Sequence, residues 1–181
     1  MDKTALINEL LELFRQQGYE GVSIGEVSKA TGLGKSSLYH HFPGGKEEMA
    51  REVLGHIDSA VREHFIAPLK AEGQPELKLA AMAKTIEDFY DGGRKGCIVE
   101  GLTLGAASAP FQELVQQSLE AWIEAIAGVA VENGLNKKLA RERAENALIA
   151  IEGSLIVSRA LRDYQIFKRV ARNLPMLILK G

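Results

Sequence analysis

An all-α fold is predicted: a small three-helix head at the N-terminus on a larger helical body, about nine helices in all. Three observations carry it. Apolar residues recur at helical spacing along almost the whole chain. No stretch alternates with the two-residue period of a strand. Glycine and proline clusters cut the pattern into helix-length pieces.

The elements follow in order. Leu6, Ile7, Leu10, Leu11 and Phe14 make one face of a first helix, which Gly18 stops. Ser23 with Glu26 forms a capping box and opens a short second helix to about Thr31. Gly32-Leu33-Gly34 is a tight break. A third helix, about Lys35 to Phe42, ends before Pro43-Gly44-Gly45, which cannot continue it. A long fourth helix starts near Lys46, with Glu47 and Glu48 in its first turn, and reaches Ala67 or beyond, where Pro68 bends or closes it. Pro75 opens a fifth, carrying Leu79, Met82, Ile86, Phe89 and Tyr90. Gly92, Gly93 and Gly96 mark a loop. Ile98 to Ala107 reads as a short apolar helix, and Pro110 as the start of one that runs to Asn133-Gly134. The last two helices cover about Lys137 to Asp163 and Gln165 to Leu179. Within them Ala147 to Val157 is apolar nearly all round, with Glu152 its one charge, so it needs partners on more than one side.

A length of 181 residues, 46% hydrophobic and 25% charged, suits one or two globular domains with a real core. The natural division is a head of residues 1–47 and a body of residues 48–181. The first apolar run contains Asn8, Glu9 and Glu12, unlike a signal peptide, and later runs fall short of the roughly 18 residues a membrane span needs. A cytoplasmic location and no membrane partner are expected. Cys97 is the only cysteine, which excludes an intrachain disulfide and a cysteine-based metal site.

The net charge is -2, and the first 51 residues carry six Lys/Arg against seven Asp/Glu. Any nucleic-acid binding must therefore rest on locally placed cations. The head supplies a layout for this. Two short helices joined by a glycine turn form a helix-turn-helix. Val27, Leu33 and Leu38 can pack the pair, with small Ser28 at the crossing. Lys35, Ser36, Ser37, Tyr39 and His40 are left outward, where a recognition helix presents its first residues to base edges in the major groove. Lysine can contact guanine O6/N7, serine several bases or a phosphate, and the Tyr39 hydroxyl a phosphate. Lys46 adds a cation at the next helix N-terminus. His40 and His41 project about 100° apart, which makes them poor joint metal ligands. Gly34-Lys35-Ser36 is not the end of a phosphate-binding loop, since position 29 is Lys and no strand precedes it.

The run GLGKSSLYHHFPGGKEEM, Gly32 to Met49, preceded by GYEGVSIGEVSKA, Gly18 to Ala30, resembles the signature of the tetracycline-repressor (TetR) family. The extra glycine of Pro43-Gly44-Gly45 is similar to the branch of the lincomycin-resistance repressors, and it shifts Lys46 from its usual register. The resemblance implies groove-facing Lys35, Ser36, Ser37 and His40. It also implies phosphate contacts at Ser23, Tyr39 and Lys46.

No catalytic set is visible in the body, which has no histidine beyond residue 64. Neither enzyme activity, a metal nor a cofactor is expected. The family resemblance implies a pocket for an unknown small-molecule inducer, for which Phe65, Phe89, Tyr90, Cys97, Glu100, Phe111 and Trp122 are the candidates. Glu100 and Glu152 lie in apolar stretches and need a basic partner or a cationic ligand. Ala147–Val157 with Leu174–Leu179 is the candidate homodimer interface. The expected function is a dimeric, ligand-responsive regulator, most simply a repressor on a palindromic operator. An activator with the same head is the alternative, and a helical small-molecule carrier or enzyme a more distant one.

Overall fold

A computed structural model describes residues 2–103 and 106–180. Among these the chain is helical, with no strand. The α-helices are α1 (Lys3–Gly21), α2 (Ile24–Thr31), α3 (Lys35–His41), α4 (Gly45–Val61), α5 (Ala67–Lys70), α6 (Pro75–Phe89), α7 (Ile98–Thr103), α8 (Gln112–Glu132), α9 (Lys137–Leu161) and α10 (Gln165–Leu179). A π turn, Arg62–Ile66, joins α4 to α5 without a break, so the two form one long helix and the count among the described residues is nine.

The chain divides into two compact units, residues 1–58 with 97–116, and residues 59–96 with 117–181. The head expected at residues 1–47 thus packs within a unit that also holds the start of α4 and the segment Cys97–Gln116. In this unit the core is Leu6, Leu10, Phe14, Val27, Leu38, Phe42, Met49 and Val53, all fully buried. Helix α1 lies against α7 through two glycines. Gly18 takes φ +69° and breaks the helix where the sequence placed its end, although one more turn reaches Gly21. A Cβ on Gly101 would stand 2.7 Å from the Phe14 carbonyl oxygen, so only glycine allows this approach.

In the second unit α10 packs on α9 and α6. Its buried residues Phe167, Ala171, Leu174 and Ile178 repeat at helical spacing. Gly93, at φ +96°, seats the loop after α6 on Phe167, where a Cβ would lie 2.7 Å from the Phe167 Cβ. Lys78, 8% exposed, is satisfied by Glu132, with Nζ 2.7 Å from Oε2.

Four expectations change. Pro68 neither stops nor simply bends the fourth helix. It has no N–H to give to the carbonyl of His64 and its ring crowds that group. The wider π turn carries the chain past it, with the Ala67 N–H donating to the Arg62 carbonyl. Of the apolar helix expected over Ile98–Ala107, Ile98–Thr103 is helical, Leu104 and Gly105 lie outside the described residues, and Ala106 already belongs to a 3-10 turn. Pro110 sits inside a 3-10 turn, Ala106–Phe111, and α8 begins only at Gln112. Lastly, Leu174, Ile178 and Leu179 face their own unit's core, which leaves Met176 and Leu177 as the outward apolar residues of Leu174–Leu179.

Candidate nucleic-acid interface

The turn between α2 and α3 is built by side chains. Ser23 caps α2: its Oγ accepts from the Glu26 N–H at 3.2 Å, and its own N–H donates to Glu26 Oε2 at 2.7 Å. That N–H, with the Ser23 hydroxyl, holds the Glu26 carboxyl below the usual carboxylate range. At the other end Gly32 takes φ +70°, the left-handed cap that favours glycine. Ser28 Oγ donates to the Leu33 carbonyl at 2.6 Å, and Thr31 Oγ1 donates to the Val27 carbonyl at 2.7 Å while accepting from the Leu33 N–H at 3.3 Å. These bonds set the angle at which α3 leaves the turn. Ser28 therefore does more than leave room at the crossing.

Only Leu38 of α3 is buried, and with Val27 it anchors the helix pair. Lys35, Ser36, Ser37, Tyr39 and His40 are all exposed, while His41 is half-buried. The five outward residues expected from the sequence thus share one open face. Tyr39 rests beside Gly45, where a Cβ would be 3.5 Å from its Cε1. Gly45 takes φ +66°, and the Gly44 N–H donates to Glu48 Oε2 at 2.6 Å, so the Pro43-Gly44-Gly45 loop is a defined cap on α4.

Lys46 is placed differently from a free phosphate contact. Its Nζ donates to the Tyr19 carbonyl at 2.9 Å and lies 4.4 Å from the centre of the Tyr19 ring. Tyr19 in turn meets Phe111 edge-on at 4.9 Å. Tyr19 was not singled out from the sequence. Only its position next to Gly18, where the helix turns, signals it.

The residues expected to meet a ligand divide between the units. Phe65, Phe89, Tyr90 and Trp122 form a contiguous ring cluster in the second, with centroid separations of 5.0–5.3 Å, and Tyr90 continues to Phe167 at 5.9 Å. The Trp122 Nε1–H has Met82 Sδ, a weak acceptor, at 3.5 Å. Cys97, Glu100 and Phe111 belong to the first unit, the cysteine buried and the glutamate half-buried. No cluster of metal-ligating side chains is present among the described residues. No helix among them is long and apolar enough to cross a membrane.

Comparison with known proteins agrees with this geometry. Residues 6–53 match the bacterial regulatory proteins of the tetR family, and residues 75–173 match the LmrA/YxaF-like C-terminal domain of transcriptional regulators. The chain belongs to the TetR family. Within it, this regulator falls in the LmrA/YxaF-like branch that the extra glycine suggested. It is similar to the transcriptional regulator LmrA of Bacillus subtilis (strain 168), 24% identical over 180 residues, covering 96% of this chain and 94% of that protein. Its fold is that of a TetR regulator from Legionella pneumophila, at TM-score 0.81, 18% identity and 96% coverage of each chain. It is also that of the regulator FadR from Bacillus subtilis in complex with stearoyl-CoA, at TM-score 0.76, 15% identity and 99% coverage of each. The family is one of DNA-binding transcriptional regulators, not enzymes.

Proposed function

We propose that this regulator is a cytoplasmic, homodimeric repressor that holds a palindromic operator with α3 and leaves it when a small molecule binds the body. The observation that carries it is the open face of α3, with Lys35, Ser36, Ser37, Tyr39 and His40 outward on a helix fixed by Leu38 and the Ser28–Leu33 bond. Lys35 and His40 are assigned to base edges with the two serines, Tyr39 to phosphate, and Ser23 to phosphate from its place at the start of α2. Lys46 keeps two further protons on its ammonium beside the Tyr19 carbonyl, enough for a phosphate as well.

Dimerisation is supported by α9. One face of Ala147–Val157 is buried in the protomer, yet Ile149 and Ile156 are 67% and 50% exposed, with Gly153 between them at helical spacing. A second copy of α9 and α10 would cover these residues as a four-helix interface. Two heads are needed because one short helix in a near-neutral head binds weakly. Paired at about 34–36 Å they engage successive major grooves. The effector is assigned to the ring cluster around Trp122, whose N–H meets the thioether of Met82, a weak acceptor, and the stearoyl-CoA held by the similarly folded FadR supports a small-molecule role for this body.

The test is fluorescence anisotropy of the purified protein with its own upstream DNA. Binding should be tight for a palindrome, fall steeply with added salt, and drop at least tenfold in Lys35→Ala and Tyr39→Ala. Salt-insensitive binding, or binding that survives both substitutions, rejects the interface.

A further inference from the structure

The loop after α6 and the outer face of α10 bring cations together without a matching set of acids. Gly92 takes φ +59°, and a Cβ there would stand 2.7 Å from Lys168 Cε, 3.4 Å from its Nζ and 3.7 Å from Arg94 Nη1. Both cations therefore converge over a residue that has no side chain. Arg94 is held in place by the Tyr164 ring, 5.1 Å below its guanidinium, and by the Asp91 carbonyl at 3.3 Å. The Asp91 carboxylate approaches it only to 3.8 Å. Arg172, one turn beyond Lys168, is paired with Glu87 at 3.2 Å. Lys168 and Arg169 have no carboxylate partner among the described residues. Along α10 runs a groove of about 650 Å³ lined by Gln165, Lys168, Arg169, Arg172 and Asn173, every one a hydrogen-bond donor, and Lys168 joins it to Arg94 over Gly92.

This arrangement carries a repulsion of its own. Like charges one helical turn apart repel, and the chain as a whole is acidic, at -2, so the cluster is not a general basic surface. An anion with several acceptor oxygens would relieve it. The groove volume lies within the roughly 300–1,000 Å³ of small-molecule sites. Lys168 and Arg172 also project away from Val170 and Leu177, on the other flank of α10, so a partner packed against that apolar flank leaves them open.

We propose that this groove binds the phosphate of a small phosphate-bearing molecule, with Lys168 and Arg169 as its contacts and Arg94 adding charge beside Lys168, Gly92 being the position that lets those two meet. The site is separate from α3 and stands or falls independently of operator binding. The experiment is isothermal titration calorimetry of the full-length, DNA-free protein with pyrophosphate, and separately with ADP, in chloride buffer of matched ionic strength. One saturable site per protomer is expected, weakened at least tenfold in Lys168→Gln/Arg169→Ala and in Arg94→Ala. The exposed control Lys137→Ala should bind as the parent does. ADP binding tighter than pyrophosphate assigns the site to an organic phosphate, and equal affinity to the phosphate group alone. Either supports the proposal. Non-saturating heats, unchanged affinity in the double variant, or loss of binding in Lys35→Ala instead would overturn it. So would a short DNA duplex titrating the same cations at one per protomer. Circular dichroism of each variant separates a lost site from a lost fold.

Discussion

Lys46 and Tyr19 form one contact from two directions: the ammonium donates to the Tyr19 carbonyl at 2.9 Å and sits 4.4 Å from the centre of its ring. The first residues of α4 are thereby tied to the end of α1, and the loop that carries α3 into α4 has a fixed end.

Lys46→Met keeps the stem and removes both interactions. A hydrogen bond and a cation–π contact of this kind contribute about 1 kcal/mol each at most near the surface. The midpoint of thermal unfolding should fall by about 2–6 °C. Tyr19→Leu retains the carbonyl bond but loses the cation–π contact and the ring contacts with Phe14 and Phe111, so calorimetry should show a loss at least as large from it as from Lys46→Met.

Acid should loosen the turn before it unfolds the body. The Glu26 carboxyl is held below the usual carboxylate range by the Ser23 N–H. A lowered folded value means the stabilisation is present above pH 4.5 and is lost as pH falls through the folded value. The protection factors of the α2 amides, corrected for the pH dependence of intrinsic exchange, should fall on acidification through the folded value in the parent. In Glu26→Gln that pH step should vanish.

Gly101→Ala should be among the most damaging single-carbon changes in the first unit. The added carbon meets a backbone oxygen at 2.7 Å, which no rotamer can relieve. Overpacking of this kind costs about 1–3 kcal/mol. Urea denaturation would measure it, with Gly55→Ala, where nothing lies within 4 Å, as a neutral or stabilising control.

Lys78 and Glu132 should respond unequally. Lys78 has a side chain 7% exposed, whereas Glu132 is half in solvent. Glu132→Ala strands a buried ammonium, while Lys78→Met removes the charge and keeps the packing. The first should cost about 1–2 kcal/mol, after allowance for solvent around Glu132, and the second less than about 1 kcal/mol. A larger loss in Lys78→Met than in Glu132→Ala would contradict this.

Ile156→Glu should split the proposed dimer. Sedimentation should report monomer, and operator affinity should fall by at least a hundredfold with the α-helical spectrum intact. A variant that stays dimeric moves the interface elsewhere.

The head was largely readable from residue order because its signals are local. The Ser23–Glu26 box, Gly32 and buried Leu38 each act within a few residues of where they stand. What escaped depended on distant neighbours. Lys46 turned toward Tyr19, 27 positions away, and nothing near Lys46 marks that partner. The π turn is the chain's way around Pro68, and a proline announces trouble in a helix without saying how it is resolved. In Leu174–Leu179 the apolar run was clear, but helix periodicity alone does not say which flank α9 and α6 would take. The aromatic residues, similarly, could be seen as a set without showing that Phe111 belongs with Tyr19 and the others with one another.

Trp122 is the chain's one tryptophan, and it stands 5.1 Å from Phe65 in the ring cluster. The regulator therefore carries its own optical reporter at the place assigned to the effector. Candidate compounds can be screened by the emission of the unlabelled protein, and the same signal, followed while operator DNA is added, reads the two binding events on one scale.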